Sequence, residues 1–157
     1  MPSRGGPGPE IRLRAYRRSD HPKVVRLWRA AGLSISPSDR RDEIERARRR
    51  DPELFVVAES RGRLVGAVFG RFDGRRGWIN HLAVAGRFRR RGVGRRLMLE
   101  VEARLAALGC PKVNLHVLTP NRSVVGFYAS LGYSVADMLL LQKWLRRGPR
   151  PTSRRRA

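Results

Sequence analysis

The chain has 157 residues, 41% of them apolar, and a formal net charge of +22. That length fits one domain with a sizeable core, and no apolar run approaches the ~18 residues of a membrane span. The single cysteine, Cys110, excludes an internal disulfide and a cysteine-built metal cluster. The expectation is a metal-free protein of a reducing cytoplasm, with no membrane contact and Cys110 as a buried structural thiol.

Residues 1–10 are Pro/Gly-rich and expected to be disordered, and without an apolar core they do not read as a secretory signal. Ile11 to Tyr16 alternates like a strand. Asp20 to Ala31 places Val24, Val25, Leu27 and Trp28 at helical spacing and stops near Gly32. Residues 38–50 read as a highly charged helix with Ile44 and Ala47 as its apolar contacts. The acidic residues from Asp39 to Glu53 are matched there by arginines, the pattern of a solvated face. Leu54 to Ala58 and Leu64 to Phe69 flank Ser60-Arg-Gly-Arg63, a hairpin signal. Asp73-Gly74 marks a second tight turn before a strand from Trp78 to Val84.

From Gly94 to Leu108 a helix carries Leu97, Met98, Val101, Leu105 and Leu108 on one face. Lys112 to Leu118 is β-rich, Asn121 to Leu131 reads as helical, and Leu131-Gly132-Tyr133 is a helix stop. Residues 134–145 read as a last apolar strand pair or hairpin arm. The tail, residues 146–157, reads as a disordered basic segment. The order β-α-α-β-β-β-α-β-α-β, without internal repeat, implies one α/β domain over residues 11–145 with a mixed sheet.

High positive charge ordinarily points to a polyanion partner. Of the 35 basic residues, however, only Lys23, Lys112 and Lys143 are not arginine. A GC-rich genome produces such usage through codon choice alone, without any binding role. Non-specific polyanion contact through the basic tail therefore follows from charge, while specific recognition does not.

The stretch Arg89-Arg90-Arg91-Gly92-Val93-Gly94 lies between the Trp78–Val84 strand and the long helix. A glycine-bearing turn at a helix start aims backbone N–H groups outward, with the positive end of the helix dipole behind them. That arrangement suits a phosphate or pyrophosphate, and Gly92 and Gly94 remove side chains that would hold an anion away from the backbone. An ordinary strand-to-helix turn has the same local pattern, so the stretch alone leaves both readings open. It is no P-loop, because no Gly-Lys-Ser/Thr ends it, and it lacks the G-x-G-x-x-G of a dinucleotide fold.

Leu82-x-Val84 followed by Arg89-x-x-Gly92-x-Gly94 resembles the acetyl-CoA motif of the GCN5-related N-acetyltransferases, the GNAT family. The following helix and strand, Asn121, and Phe127-Tyr128-x-x-Leu131-Gly132-Tyr133 are similar to that family in content and spacing. The resemblance runs from about residue 11 to 145 and departs at Gly86, where many members have proline. Leu54-Phe-Val-Val-Ala-Glu59, Phe72-Asp-Gly74 and Gly109-Cys-Pro-Lys112 resemble the YpeA-type bacterial branch and, more distantly, RimI-type members.

The resemblance implies a mixed, mostly antiparallel central sheet flanked by helices, with acetyl-CoA as co-substrate. It implies that Arg89, Arg90, Arg91, Gly92, Val93, Gly94 and Arg95 hold the pyrophosphate, and that pantetheine pairs with the backbone of Leu82, Ala83 and Val84. Asn121 joins the cofactor side, and Tyr128 stands against the CoA sulfur as general acid. Tyr128 follows Asn121 by seven residues, about two turns, so a continuous helix would put both on one side.

For the base the resemblance leaves His116, in the register of a glutamate that RimI-type members carry, or His81, on a strand where others place an acidic residue. Water is the third alternative. The implied acceptor is a primary amine, either a protein N-terminus or a small molecule, with pocket walls from residues 30–50 and 134–141. The competing expectation is a non-catalytic module of the same fold that binds a polyanion or ribosome through the basic tail.

Overall fold

The computed structural model describes residues 10–145, and up to Arg122 the chain is organised around one five-stranded sheet. Residues 1–9 and the basic tail, 146–157, on which the expected disorder and polyanion contact fall, lie outside the described residues. The strands are β1 (Arg12–Ala15), β2 (Phe55–Ser60), β3 (Arg63–Phe72), β4 (Gly77–Val84) and β5 (Val113–Leu115), side by side in chain order. The pairs β1–β2, β2–β3 and β3–β4 are antiparallel, and β4–β5 is parallel. The helices of this unit are α1 (His21–Ala30), α2 (Arg41–Arg48) and α3 (Val93–Ala107). This is the expected α/β fold with a mixed, mostly antiparallel sheet flanked by helices.

Alternation along β2 and β3 assigns the two sheet faces. Phe55, Val57, Ala67 and Phe69 join Val24, Leu27 and Trp28 of α1 and Ile44 of α2 in one apolar cluster. Within it Tyr16 stacks on Phe55 at 4.1 Å between ring centroids, and Phe55 on Phe69 at 4.6 Å. The residues between them face α3. A Cβ on Gly66 would stand 2.9 Å from Leu97 Cδ1, and one on Gly70 would stand 2.5 Å from Val101 Cγ2. Glycine on this face therefore lets α3 lie close against β3, with Leu97, Met98, Val101 and Leu105 fully buried.

The β2–β3 hairpin turns through Arg61 (φ 48°) and Gly62 (φ 72°), the two positive angles that a two-residue turn needs to match strand twist. Near β1, the Arg14 guanidinium donates to both carboxylate oxygens of Asp20, at 2.7 and 2.9 Å, and to Glu59 at 2.6 Å. This ties β1 to the turn before α1 and to β2.

Three expectations need correction. The β-rich segment Lys112 to Leu118 is a strand only over Val113–Leu115. The segment expected as one helix from Asn121 is a 3-10 stretch, Thr119–Val124, kinked at Asn121 (φ −100°, ψ 21°), followed by α4 (Val125–Ala129). Asn121 and Tyr128 therefore do not share the regular helical phase that their spacing implies.

Residues 134–145 form no strand. Val135, Leu139, Leu141 and Leu145 are each more than 80% exposed. The run Met138 to Leu141 is continuously apolar rather than alternating, and such a run does not by itself specify a strand. A strand also needs an edge to bond to.

Residues from Ser123 onward form a second compact unit. In it Tyr128 packs edge-on against Phe127 at 5.1 Å and Tyr133 at 5.8 Å. The chain leaves α4 with the Leu131 and Tyr133 amides donating to the Tyr128 carbonyl and Gly132 at φ 90°. The helix stop read from Leu131-Gly132-Tyr133 is present.

Candidate active site

Strand β4 is irregular where the expected site lies. Phe69 of β3 pairs with Asn80 and Ala67 pairs with Ala83. One residue of β3 thus faces two of β4, His81 and Leu82, which is a β-bulge. His81 carries the strain of it in a left-handed backbone (φ 53°). On the other edge, pairing with β5 stops at Ile79↔Leu115 although β4 continues to Val84. The backbone of Asn80 to Val84 therefore runs past the end of β5. Of the three expected pantetheine-pairing residues, Ala83 is buried in the core cluster, while Leu82 and Val84 are half-buried.

Beyond Val84, a 3-10 turn (Gly86–Phe88) buries Phe88, and the Arg89 Nε–H donates to the Val84 carbonyl at 3.1 Å. Arg89 is thereby tied to the strand end, while Arg90 and Arg91 are exposed. Gly92 is the N-cap of α3 in a left-handed conformation (φ 77°), and the first bond of the helix runs from Arg96 N–H to Gly92 carbonyl. The amides of Val93 and Gly94 precede that bond, at the end of the helix where backbone donors point outward. A Cβ on Gly92 would meet nothing within 4 Å, so backbone angle and not crowding calls for glycine there.

The two candidate bases have different surroundings. His116 lies just beyond β5 and is exposed, its ring 5.3 Å from that of Trp78. His81 is partly buried, its Nε2 3.2 Å from Asp39 Oδ1 and its ring 4.5 Å from that of Trp28. Asp39 is only 7% exposed. Its Oδ2 accepts the Ser36 N–H at 2.7 Å and the Ser36 hydroxyl at 2.9 Å. Burial opposes ionisation of Asp39, but the bonds from His81 and Ser36 outweigh it and hold the carboxyl below the ordinary aspartate range.

Charge balance along the segment places Asp39 on a solvated helix face. In the structure it instead ends the 3-10 turn Pro37–Asp39, ahead of α2. A signal for this is present in the sequence: Ser36-x-x-Asp39 is a capping-box pattern, and the reciprocal Ser36–Asp39 bonds form it.

Tyr128 and Asn121 lie on different units. Burial alone pushes the Tyr128 phenol above its ordinary value. Asn121 is exposed, its amide donating to the Leu118 carbonyl at 2.7 Å. Cys110, expected to be buried, is half-buried, with its thiol 3.3 Å from the Lys112 carbonyl.

The model of the acetyltransferase (GNAT) family matches residues 17–133. This chain belongs to that family. It is 40% identical over 135 residues to an acetyltransferase of Yersinia enterocolitica and 39% identical to one of Pectobacterium atrosepticum. In each case the match covers 86% of this chain and 96% of the relative. Among solved structures, Ard1 of Thermoplasma volcanium is similar with a TM-score of 0.67 and 28% identity, over 80% of this chain and 84% of that one. The PaiA N-acetyltransferase of Thermoplasma acidophilum, solved with coenzyme A, has a TM-score of 0.73 over 82% of this chain and 92% of that one. At 18% identity it speaks for the fold alone. The GNAT chain described here is accordingly an N-acetyltransferase, and the irregular β4 with the turn into α3 is its candidate active site.

Proposed function

We propose that this enzyme transfers the acetyl group of acetyl-CoA to a primary amine, a protein N-terminal amine or a small-molecule amine, by direct attack. The observation that carries the reading is the left-handed Gly92 cap of a 15-residue helix, placed directly after a strand that outruns its parallel neighbour. The amides of Gly92, Val93 and Gly94 suit a pyrophosphate, and the helix dipole adds to their pull. Arg90, Arg91 and Arg95 supply positive charge around the same turn, and Arg89 braces it. The backbone of Leu82, Ala83 and Val84, beyond the reach of β5, suits the amides of a pantetheine arm. An amide there can polarise the thioester carbonyl as an oxyanion donor.

Tyr128 serves as the general acid. A phenol of ordinary pKa ~10 protonates a leaving thiolate of ~8.5 when geometry assists, and burial of Tyr128 keeps its proton in place at neutral pH. Asn121 is assigned to the cofactor side. The base is His81, His116 or water, and an imidazole is a side chain suited to that work near neutral pH. A histidine suits an α-amine of pKa ~7.7–8.0 better than a lysine of ~10.4, because more of the α-amine is already neutral.

The test pairs thermal melting with turnover. Saturating acetyl-CoA is expected to raise the melting temperature of the full chain, and Gly92→Glu is expected to abolish the rise. CoA release is then followed on a panel: peptides with free N-terminal amines, an N-terminally blocked lysine peptide, and small polyamines. Turnover on a free N-terminus, well ahead of the lysine peptide and of the polyamines, whose alkylamines are as basic as lysine, is the expected pattern. Absence of a melting shift in the unsubstituted protein would sink the proposal.

A further inference from the structure

Asp39 is a buried carboxylate whose two oxygens are both engaged, one by the Ser36 amide and hydroxyl and the other by His81 Nε2. The 3-10 turn that carries it is fixed from a second direction, because His21 Nε2 of α1 lies 3.1 Å from the Asp39 carbonyl oxygen. Trp28, also on α1 and fully buried, lies against the His81 ring. Two separate segments, the 3-10 turn through Asp39 and α1 through Trp28, thus converge on one histidine of β4. That histidine stands at the bulge of β4, in a strained backbone, immediately before Leu82 to Val84. A purely structural tie between a loop and a sheet does not need a titratable ring on a left-handed residue. Strain held by its surroundings gathers at functional positions.

The atoms define a proton arrangement. A carboxylate accepts and does not donate, so Asp39 Oδ1 takes the hydrogen of His81 Nε2. In the neutral ring the other nitrogen, Nδ1, then carries the lone pair. A carboxylate that fixes a histidine tautomer and stabilises the imidazolium formed is an established way of making a base. His116, exposed and resting on Trp78, is held by no such carboxylate in the described residues.

We propose that Asp39 is the positioning residue of a His81 general base, holding the ring proton on Nε2 so that Nδ1 takes the proton of the acceptor amine. This rests on the acetyltransferase reading above. The bond between amine nitrogen and acetyl carbon forms, and the thioester carbon–sulfur bond breaks. The amine proton goes to His81 Nδ1 and later to solvent, while the departing sulfur takes a proton from the general acid.

The test uses the full chain labelled with 15N-histidine, at mildly alkaline pH. Long-range proton–nitrogen spectra are expected to show His81 with a protonated Nε2 and an unprotonated Nδ1, and Asp39→Asn is expected to weaken that preference. On the fastest acceptor of the panel above, Asp39→Asn is expected to lower kcat roughly tenfold or more with KM nearly unchanged. His81→Gln is expected to lower kcat about a hundredfold, and adding Asp39→Asn to it should cause no further loss. A protonated Nδ1 in the unsubstituted protein overturns the proposal. So does an Asp39→Asn loss that persists at full size in the His81→Gln background. A missing acetyl-CoA melting shift instead overturns the transferase reading, and with it the base role, while the tautomer spectrum still reports the pair.

Discussion

The Arg89 Nε–H donates to the Val84 carbonyl at 3.1 Å, closing the chain between the end of β4 and the approach to α3. Val84 ends the strand whose backbone is proposed to meet pantetheine, and Arg89 opens the turn proposed to meet the pyrophosphate. One hydrogen bond therefore couples the two halves of the donor site. The bond depends on the Nε of a planar guanidinium, which lysine cannot reproduce. Arg89→Lys and Arg89→Met are both expected to weaken acetyl-CoA binding about fivefold, the equivalent of about 1 kcal/mol. Titration calorimetry separates this from a charge effect: full affinity in the Arg89→Lys variant would make charge, and not the brace, responsible.

Close approach of α3 to β3 carries a second prediction. A Cβ at Gly70 would overlap Val101 Cγ2 at 2.5 Å and press on the Leu54 carbonyl oxygen at 3.1 Å. The first neighbour is a short branched side chain in a filled core, and the second is backbone, so neither yields easily. Gly70→Ala is expected to destabilise the fold by about 2 kcal/mol, read as a lower urea midpoint with an unchanged slope. Gly92→Ala, where a Cβ has open space, is expected to lose about 1 kcal/mol through its left-handed backbone alone.

These two glycines mark what is legible in the sequence. Gly92 can be read because turn chemistry is local: a glycine between a strand pattern and a helix pattern already implies an unusual backbone angle. The hairpin at Arg61-Gly62 is legible for the same reason. Gly70 gives no such signal, because its requirement comes from Val101, on a helix in another part of the chain. Asp39 misleads in the same way. The residues that follow it in sequence, Arg40 and Arg41, are arginines, but its partner in space is His81, and charge balance along a segment says nothing about a residue on a strand elsewhere in the chain. The last apolar stretch fails differently. Met138 to Leu141 has the composition of a strand without its alternation, and no edge is encoded in the stretch itself.

The Arg14–Asp20–Glu59 cluster makes stability depend on acid. Burial opposes the charge on Asp20, but the bonds from Arg14 and from the Arg17 amide prevail and lower its pKa. The Arg14 hydrogen bond, chiefly, lowers that of Glu59. For carboxylates with depressed folded pKa values, the stabilisation is complete above the unfolded values of ~3.9 and ~4.3. It is lost as pH falls through the lower folded values. Melting temperature is therefore expected to stay level from pH 7 to about pH 5 and to fall below about pH 4. Asp20→Asn leaves Arg14, 14% exposed, without the anion that accepts from it at two points. It is expected to cost about 3 kcal/mol at pH 7 and to flatten the acid limb of the melting curve. An unchanged acid limb would assign the loss to other carboxylates.

Tyr128 offers the test most specific to chemistry. Its ring is held between Phe127 and Tyr133, so removing the hydroxyl leaves the packing of the second unit in place. Tyr128→Phe is therefore expected to leave the melting temperature and the acetyl-CoA dissociation constant nearly unchanged. It is expected to lower kcat roughly a hundredfold, the scale of one lost general acid. Burial raises the phenol pKa, so in the unsubstituted enzyme this acid stays protonated beyond the usual tyrosine range, and kcat should show no alkaline loss from it below about pH 10. The discriminating measurement is an acetyl donor with a better leaving group, an acetylated aryl thiol in place of acetyl-CoA. A thiolate that departs without a proton should not need Tyr128, and the hundredfold defect should shrink toward unity. A defect of the same size with both donors would mean that the hydroxyl positions the substrate rather than protonating the sulfur.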